Sequence, residues 1–283
     1  MVEIEVFADE QILPEDNKLA IGCLFVPITE KNELVEDLMN GRCLNDACKE
    51  WINTFEDCPK KEICREDLHN KNNTEIHHYN LRENCDSSKK GISKNWLNYL
   101  INRNKSDRTI NFNIIYIDLN KLDSSCFNDK ESNIHNFFFR TNLAGGCNYF
   151  FGKGKTKIKR VYHDSTSSLE GHGFFPKRNL VKLSNMQDIK VEDPEIKFID
   201  SNHRNYKKHE IEQQKASNLI QFMDLILGTA SQNVYCCANN EFKKEIAGIT
   251  YPLIKRLLEA PANLNSSYKI GRASCRERVC HRV

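Results

Sequence analysis

At 283 residues with 39% hydrophobic content, the chain is long enough to bury a sizeable core and reads as one large domain with insertions. No stretch approaches the roughly 18 consecutive apolar residues of a membrane span, and Met1–Val6 carries two glutamates in place of a basic, apolar leader, so a cytoplasmic protein with no membrane partner is expected. A formal net charge of +2 argues against holding nucleic acid by bulk electrostatics, so any such contact has to be local.

Met1–Ala8 alternates Val2, Ile4, Val6 and Ala8 against Glu3 and Glu5, the period of a strand, and runs into Asp9-Glu10, so the first carboxylates are expected at a strand end. Leu19–Val26, stopped by Pro27, reads as its antiparallel hairpin partner. Thr29–Phe55 has helical spacing at Leu34, Leu38, Ala47 and Trp51, but Asn40-Gly41 interrupts it, which predicts two helices. Asp57–Lys71 is polar and reads as an insertion or long loop ahead of a short extended segment, Thr74–Tyr79.

A helix is expected around Trp96–Ile101, a strand over Ile110–Leu119 containing Asp118, and a helix over Asn133–Phe150. Lys157–Asp164 and Glu195–Asp200 are further strands that end in aspartate. Ile211–Thr229 carries the clearest helical stripe, through Ala216, Leu219, Ile220, Met223 and Leu227, with Gly228 near its end. Gly271–Val283 holds four arginines and two cysteines where the preceding chain prefers lysine and asparagine, and this shift marks it as a non-native tail outside the fold.

Asp224 lies within the apolar stripe of the late helix, where a carboxylate needs a hydrogen bond, a counter-charge or a metal. A helix-edge aspartate reaching solvent, or an ion pair with a lysine such as Lys215, is the plainer explanation. Together with Asp9 and Asp164, however, it forms a set carried by two strand ends and a packed helix. Two-metal phosphoryl-transfer sites need such rigidly mounted, convergent carboxylates. Turn chemistry suffices for Asp118 and for Asp200. Glu75 and His77 are two residues apart, so in an extended segment both face one way; His77 then ligates metal, orients a phosphate, relays protons or is simply a surface histidine.

Lys153, Lys155 and Lys157 lie in a basic run, Gly152–Arg160, that either tracks a phosphate backbone or is a solvated loop. Gly154-Lys155-Thr156 is no P-loop, because Tyr149 stands where the earlier glycine is required. The twelve cysteines read as scattered reduced thiols; Cys43, Cys48, Cys58 and Cys64 lack the tight pairs of structural zinc sites.

These residues carry a resemblance. The opening strand with Asp9-Glu10, Glu75-Ile76-His77, Tyr162-His163-Asp164, Phe198-Ile199-Asp200-Ser201 and the block Leu219–Gly228, with Gln221 three residues before Asp224, resemble the bacterial domain of unknown function numbered 3800, of the RNase H-like superfamily. The resemblance spans Val2–Gly228 in order; it departs at Gln11 and Ile12, where the family has Ser-Gly.

It implies an α/β fold with an RNase H-like mixed sheet flanked by helices over residues 1–230; the polar segment at about 56–73 is expected as an insertion in it, and 231–270 as a helical extension after it. It further implies Asp9, Glu75, Asp164 and Asp224 as the acidic set holding Mg²⁺ or Mn²⁺, with Glu10, His77, Asp200 and Gln221 as accessory residues. The activity implied is metal-dependent hydrolysis of nucleic-acid phosphodiesters. The alternative is a non-catalytic module of the same fold that binds nucleic acid or a protein partner in a mobile-element or defence context.

Overall fold

A computed structural model describes residues 1–13, 17–43, 56, 58, 62, 65–104, 110–128, 130–165, 169–186, 189–207, 209–258 and 280–282. The fold class is the one expected: an α/β protein whose mixed sheet is flanked by helices, compatible with an RNase H-like fold. Strands β1 (Val2–Leu13), β2 (Lys18–Pro27) and β3 (Asn111–Asp118) form an antiparallel meander. On the other side of β1, β4 (Thr156–Asp164) pairs parallel, and its outer edge takes β5 (Lys190–Val191) and then β6 (Ile196–Ile199), both parallel.

Two hydrophobic layers sandwich this sheet. One face carries α1 (Ile28–Arg42), α3 (Ser87–Arg103), α6 (Ile211–Tyr235) and α7 (Glu241–Leu258). The other carries α4 (Glu131–Phe151) and α5 (Phe175–Met186), while α2 (Glu66–Asn72) lies near α3. Period-2 alternation assigns the strand residues to faces. Ile4, Val6 and Ala8 pack in the α4 layer, whereas Phe7 packs in the α6 layer, stacked on Tyr162 of β4 at 5.1 Å.

Several expectations are corrected. Asp9 does not end β1, which continues in register with β2 to Leu13, the hairpin ladder supplying partners the apolar pattern did not signal; the parallel pairing with β4 ends at Ala8 and His163. Helix α1 includes Asn40-Gly41 and ends directly after, at Arg42. A Cβ on Gly41 would lie 2.8 Å from the Trp96 ring, so this glycine also serves close approach of α1 and α3. The expected second helix of that region lies outside the described residues. Within the polar insertion, α2 is helical. Helix α5 went unforeseen.

Helix α6 extends past Gly228 to Tyr235, so the boundary at 230 and 231 falls inside a helix, and Phe242 and Ile246 of α7 join the main core. Three residues of the excluded tail, Cys280–Arg282, pair antiparallel with Ile115–Ile117 as edge strand β7. The described cysteines are free thiols.

Candidate functional site

The alternation that sends Phe7 and Tyr162 toward α6 sends Asp9 and Asp164, two residues further along each strand, the same way. Asp224 of α6 meets them there. Each of Asp9 and Asp224 lies in the field of the other two carboxylates. Burial, then the charges of Asp224, Glu10 and Asp164, holds the Asp9 carboxyl well above the usual carboxylate range, although it accepts from the Glu10 N–H at 2.9 Å. Burial and the Asp164 charge also raise Asp224, against the opposing effects of His77, the His78 N–H and a hydrogen bond with Asp9.

Asp224 is therefore no helix-edge residue reaching a lysine. Its side chain is only 16% exposed, it accepts from His78 N at 2.6 Å, and its Oδ2 lies 3.3 Å from His77 Nδ1. Lys215 instead pairs with Glu212 and Asn32. One turn earlier on the same face, Gln221 accepts from Ile76 N and from Arg42 Nη2, both at 2.8 Å, and its amide donates to the Ser201 carbonyl at 2.5 Å. Gln221 and Asp224 thus fasten the Ile76–His78 backbone to α6 by two hydrogen bonds three residues apart. Gly228 completes the seat, since a Cβ there would lie 2.1 Å from the buried His78 ring. Its role is close packing in mid-helix, where the sequence suggested a helix end.

Arg42, unforeseen in the sequence, anchors the same segment from α1. It is fully buried, donates to Asn218 Oδ1 at 3.0 Å and Thr74 O at 2.6 Å, and lies 4.8 Å from the Trp96 ring centroid. Burial and the charge of Arg204, against that of Glu75, push it down to about 9, which leaves it charged at neutral pH. Glu75 accepts from the Ser201 hydroxyl at 2.8 Å. Of the two residues expected to share a face, His77 lies beside Asp224, while Glu75 bonds Ser201 and lies in the field of Arg42.

Glu10 points to the opposite face of the sheet. There its Oε2 lies 2.8 Å from Nε2 of fully buried His163. Burial opposes charging His163, but Glu10, with the Asp164 carbonyl and carboxylate, outweighs it and raises the imidazole above its usual value. His135 of α4 stands in the same field, against Phe139 and Phe175, and burial pushes it down to about 4. Asp200 has the role of a turn residue, accepting from Asn202 N at 2.8 Å and from Asn205 Nδ2 at 2.6 Å. Asp118 likewise caps a turn and pairs with Lys18.

The basic run lies at the wrong end of the sheet. Lys157 pairs with Glu3 and Glu192 near the start of β4, roughly 23 Å along the strand from Asp164. Lys153 and Lys155 precede it in the turn. A groove of about 770 Å³ lies beside β4 and β6, lined by Arg160, Tyr162, Phe198, Ile199 and Tyr206 among others, and none of the three aspartates lines it.

Among the described residues, no three His, Cys, Asp or Glu side chains already stand in metal-ligating geometry. The donor chemistry nevertheless fits a hard divalent cation. Asp9 and Asp224 stand close to Asp164 and both are raised by burial and by neighbouring carboxylate charge, a crowding that a divalent cation would offset.

Among the described residues, no helix is long and apolar enough to cross a membrane. Neither a scan against family models nor a search of curated proteins returns a match to this chain.

Proposed function

We propose that this chain is a metal-dependent nuclease of the RNase H-like kind, a member of the family numbered 3800, with Asp9, Asp164 and Asp224 as ligands of Mg²⁺ or Mn²⁺. The observation that supports it is the meeting of buried Asp9 and Asp164 with half-buried Asp224 from β1, β4 and α6, two of the three pushed up by burial and carboxylate charge, with no lysine or arginine ion-paired to Asp9 or Asp224 among the described residues. When bound, the cation supplies an activated water and charge stabilisation at a scissile phosphodiester. His77, one-third exposed and beside Asp224, is placed to meet a phosphate oxygen or to hand a proton to the departing group. Gln221, Gly228 and Arg42 hold the segment that carries it. Glu75 acts from the same segment as a positioning residue through Ser201.

A second reading, a non-catalytic nucleic-acid or protein-binding module in a mobile-element or defence context, is favoured by the continuation of β1 in ladder with β2 through Gln11 and Ile12, where the family has Ser-Gly.

Asp224→Asn separates the readings. In metal-free protein it removes a crowded charge while keeping the acceptor for His78 N–H, so the melting temperature is expected to hold or rise. The parent's rise in melting temperature with Mg²⁺ or Mn²⁺, and its cleavage of a panel of DNA and RNA, are expected to vanish. A parent protein that neither gains stability with metal nor cleaves rejects the nuclease reading.

A further inference from the structure

The basic run at Lys153–Lys157 is remote from the carboxylates, yet the mouth of the site has its own cations. Tyr79 is 68% exposed, and its ring meets that of His77 edge-on at 6.5 Å, which puts it one ring away from Asp224. The Arg82 guanidinium lies 5.9 Å and Lys243 Nζ 5.8 Å from the Tyr79 ring centroid, and Lys243 also donates to the Tyr79 carbonyl at 3.4 Å. Arg82 is exposed and follows Tyr79 by three residues; Lys243 comes from α7, so two distant parts of the chain bring positive charge to one aromatic ring. Lys243 is half-buried and lies within the field of both Asp224 and Arg82. Two like charges held beside one exposed ring repel each other, and a bridging anion relieves that repulsion.

We propose that Tyr79, Arg82 and Lys243 form a contact for single-stranded nucleic acid, with a base against Tyr79 and a backbone phosphate against Arg82 and Lys243. This contact rests on the nuclease reading for its purpose but not for its chemistry. An exposed ring can take a base face only from a strand whose bases are unstacked, which selects single strands over duplex. Flanking cations hold the phosphate without reading sequence. Net charge therefore carries no trace of this contact, because two local cations suffice.

The test is fluorescence anisotropy with the full chain in chelator, using a labelled single-stranded DNA about 12 nucleotides long, its RNA counterpart and the matching duplex. The parent is expected to bind the single strands more tightly than the duplex. Tyr79→Ala is expected to weaken single-strand binding about tenfold, with Tyr79→Phe restoring it. Arg82→Ala and Lys243→Ala should each lower the slope of log affinity against log salt by about 1, while Lys153→Ala and Lys155→Ala leave it alone.

A parent that binds none of the three probes, or that binds duplex best, overturns the contact. So does Tyr79→Ala or Arg82→Ala binding like the parent. Arg82 is exposed, so its variant keeps the test clean if Lys243→Ala perturbs the fold. If the parent binds through these residues but never cleaves with Mg²⁺ or Mn²⁺, the nuclease reading fails and this contact stands.

Discussion

The paired ends of β1 and β4 present two acid clusters, separated only by the thickness of the sheet, that deal with buried charge in opposite ways. On the α6 face, Asp9, Asp164 and Asp224 crowd like charges together, and Asp9 and Asp224 are both raised. On the α4 face, Glu10 meets His163 at 2.8 Å inside a wall of Phe139, Phe175 and Phe198. Glu10 and His163 are sequence neighbours of Asp9 and Asp164, and only the pleat sends them apart. The comparison teaches that the molecule neutralises one buried acid internally, with His163, and leaves the other cluster crowded with like charge. The α4-face pair thereby also ties β1 to β4 where their ladder ends, behind the aspartates.

The sharpest way to break this comparison is to remove one carboxylate charge on each face. Glu10→Gln strands the buried His163 and is expected to cost about 3 kcal/mol or more in metal-free protein. Asp9→Asn relieves repulsion and is expected to leave metal-free stability unchanged or improved, while abolishing stabilisation by Mg²⁺. Urea denaturation in chelator and in metal measures both; equal losses for the two variants would show that the faces are not electrostatically distinct.

Titration sets His135 of the α4 face against the aspartates of the α6 face. His135 is held at about 4 against an ordinary value of 6.5, so its neutral form contributes stability that is present above 6.5 and is lost as pH falls toward 4, about 3 kcal/mol in all. Asp9 and Asp224 are raised, so their contribution is full below the ordinary carboxylate range and is lost as pH rises through their folded values. His135→Phe should therefore flatten the acid limb of a stability–pH curve recorded in chelator and leave the loss at higher pH in place. A parent-like acid limb in the variant would remove His135 from the account.

Gly228→Ala probes the seat of His78 and so the α6 face alone. Helix propensity favours alanine by about 1 kcal/mol, whereas the clash with the His78 ring is expected to outweigh it and give a net loss of about 1–3 kcal/mol. Thermal melts decide the sign, and a stabilised variant would mean that the segment Ile76–His78 is free to move away from Asp224. The smallest effect belongs to Lys153→Ala. At the far end of β4 from both clusters, it is expected to change stability by less than about 0.5 kcal/mol and to leave metal stabilisation intact.

How much of this was legible follows from the range of each signal. Leu19–Val26, Ile110–Leu119 and Lys157–Asp164 announced strands through β-branched, apolar runs, and the stripe from Ala216 to Leu227 announced α6; these are local patterns that the structure keeps. Helix α5 carries its own signal in buried Leu180 and Leu183, three residues apart, which basic neighbours obscured. The basic run misled because composition does not say which end of a strand a charge occupies. Tyr79, Arg82 and Lys243 could not be joined from sequence, since α7 brings the lysine from more than 160 positions away.

What the sequence by itself determined was where the strands β1 to β4 and the helix α6 form and that Asp9, Asp164 and Asp224 sit on them. Only the tertiary structure decided which face each carboxylate looks to, and therefore which partner it meets. The physical reason lies in β1 itself: Ile4, Val6, Phe7 and Ala8 are all buried, so apolar residues line both faces and the alternation that would separate an inside from an outside is silent there. Facing is then set by the helices packed on either side, α6 on one and α4 on the other, which are elements distant in the chain.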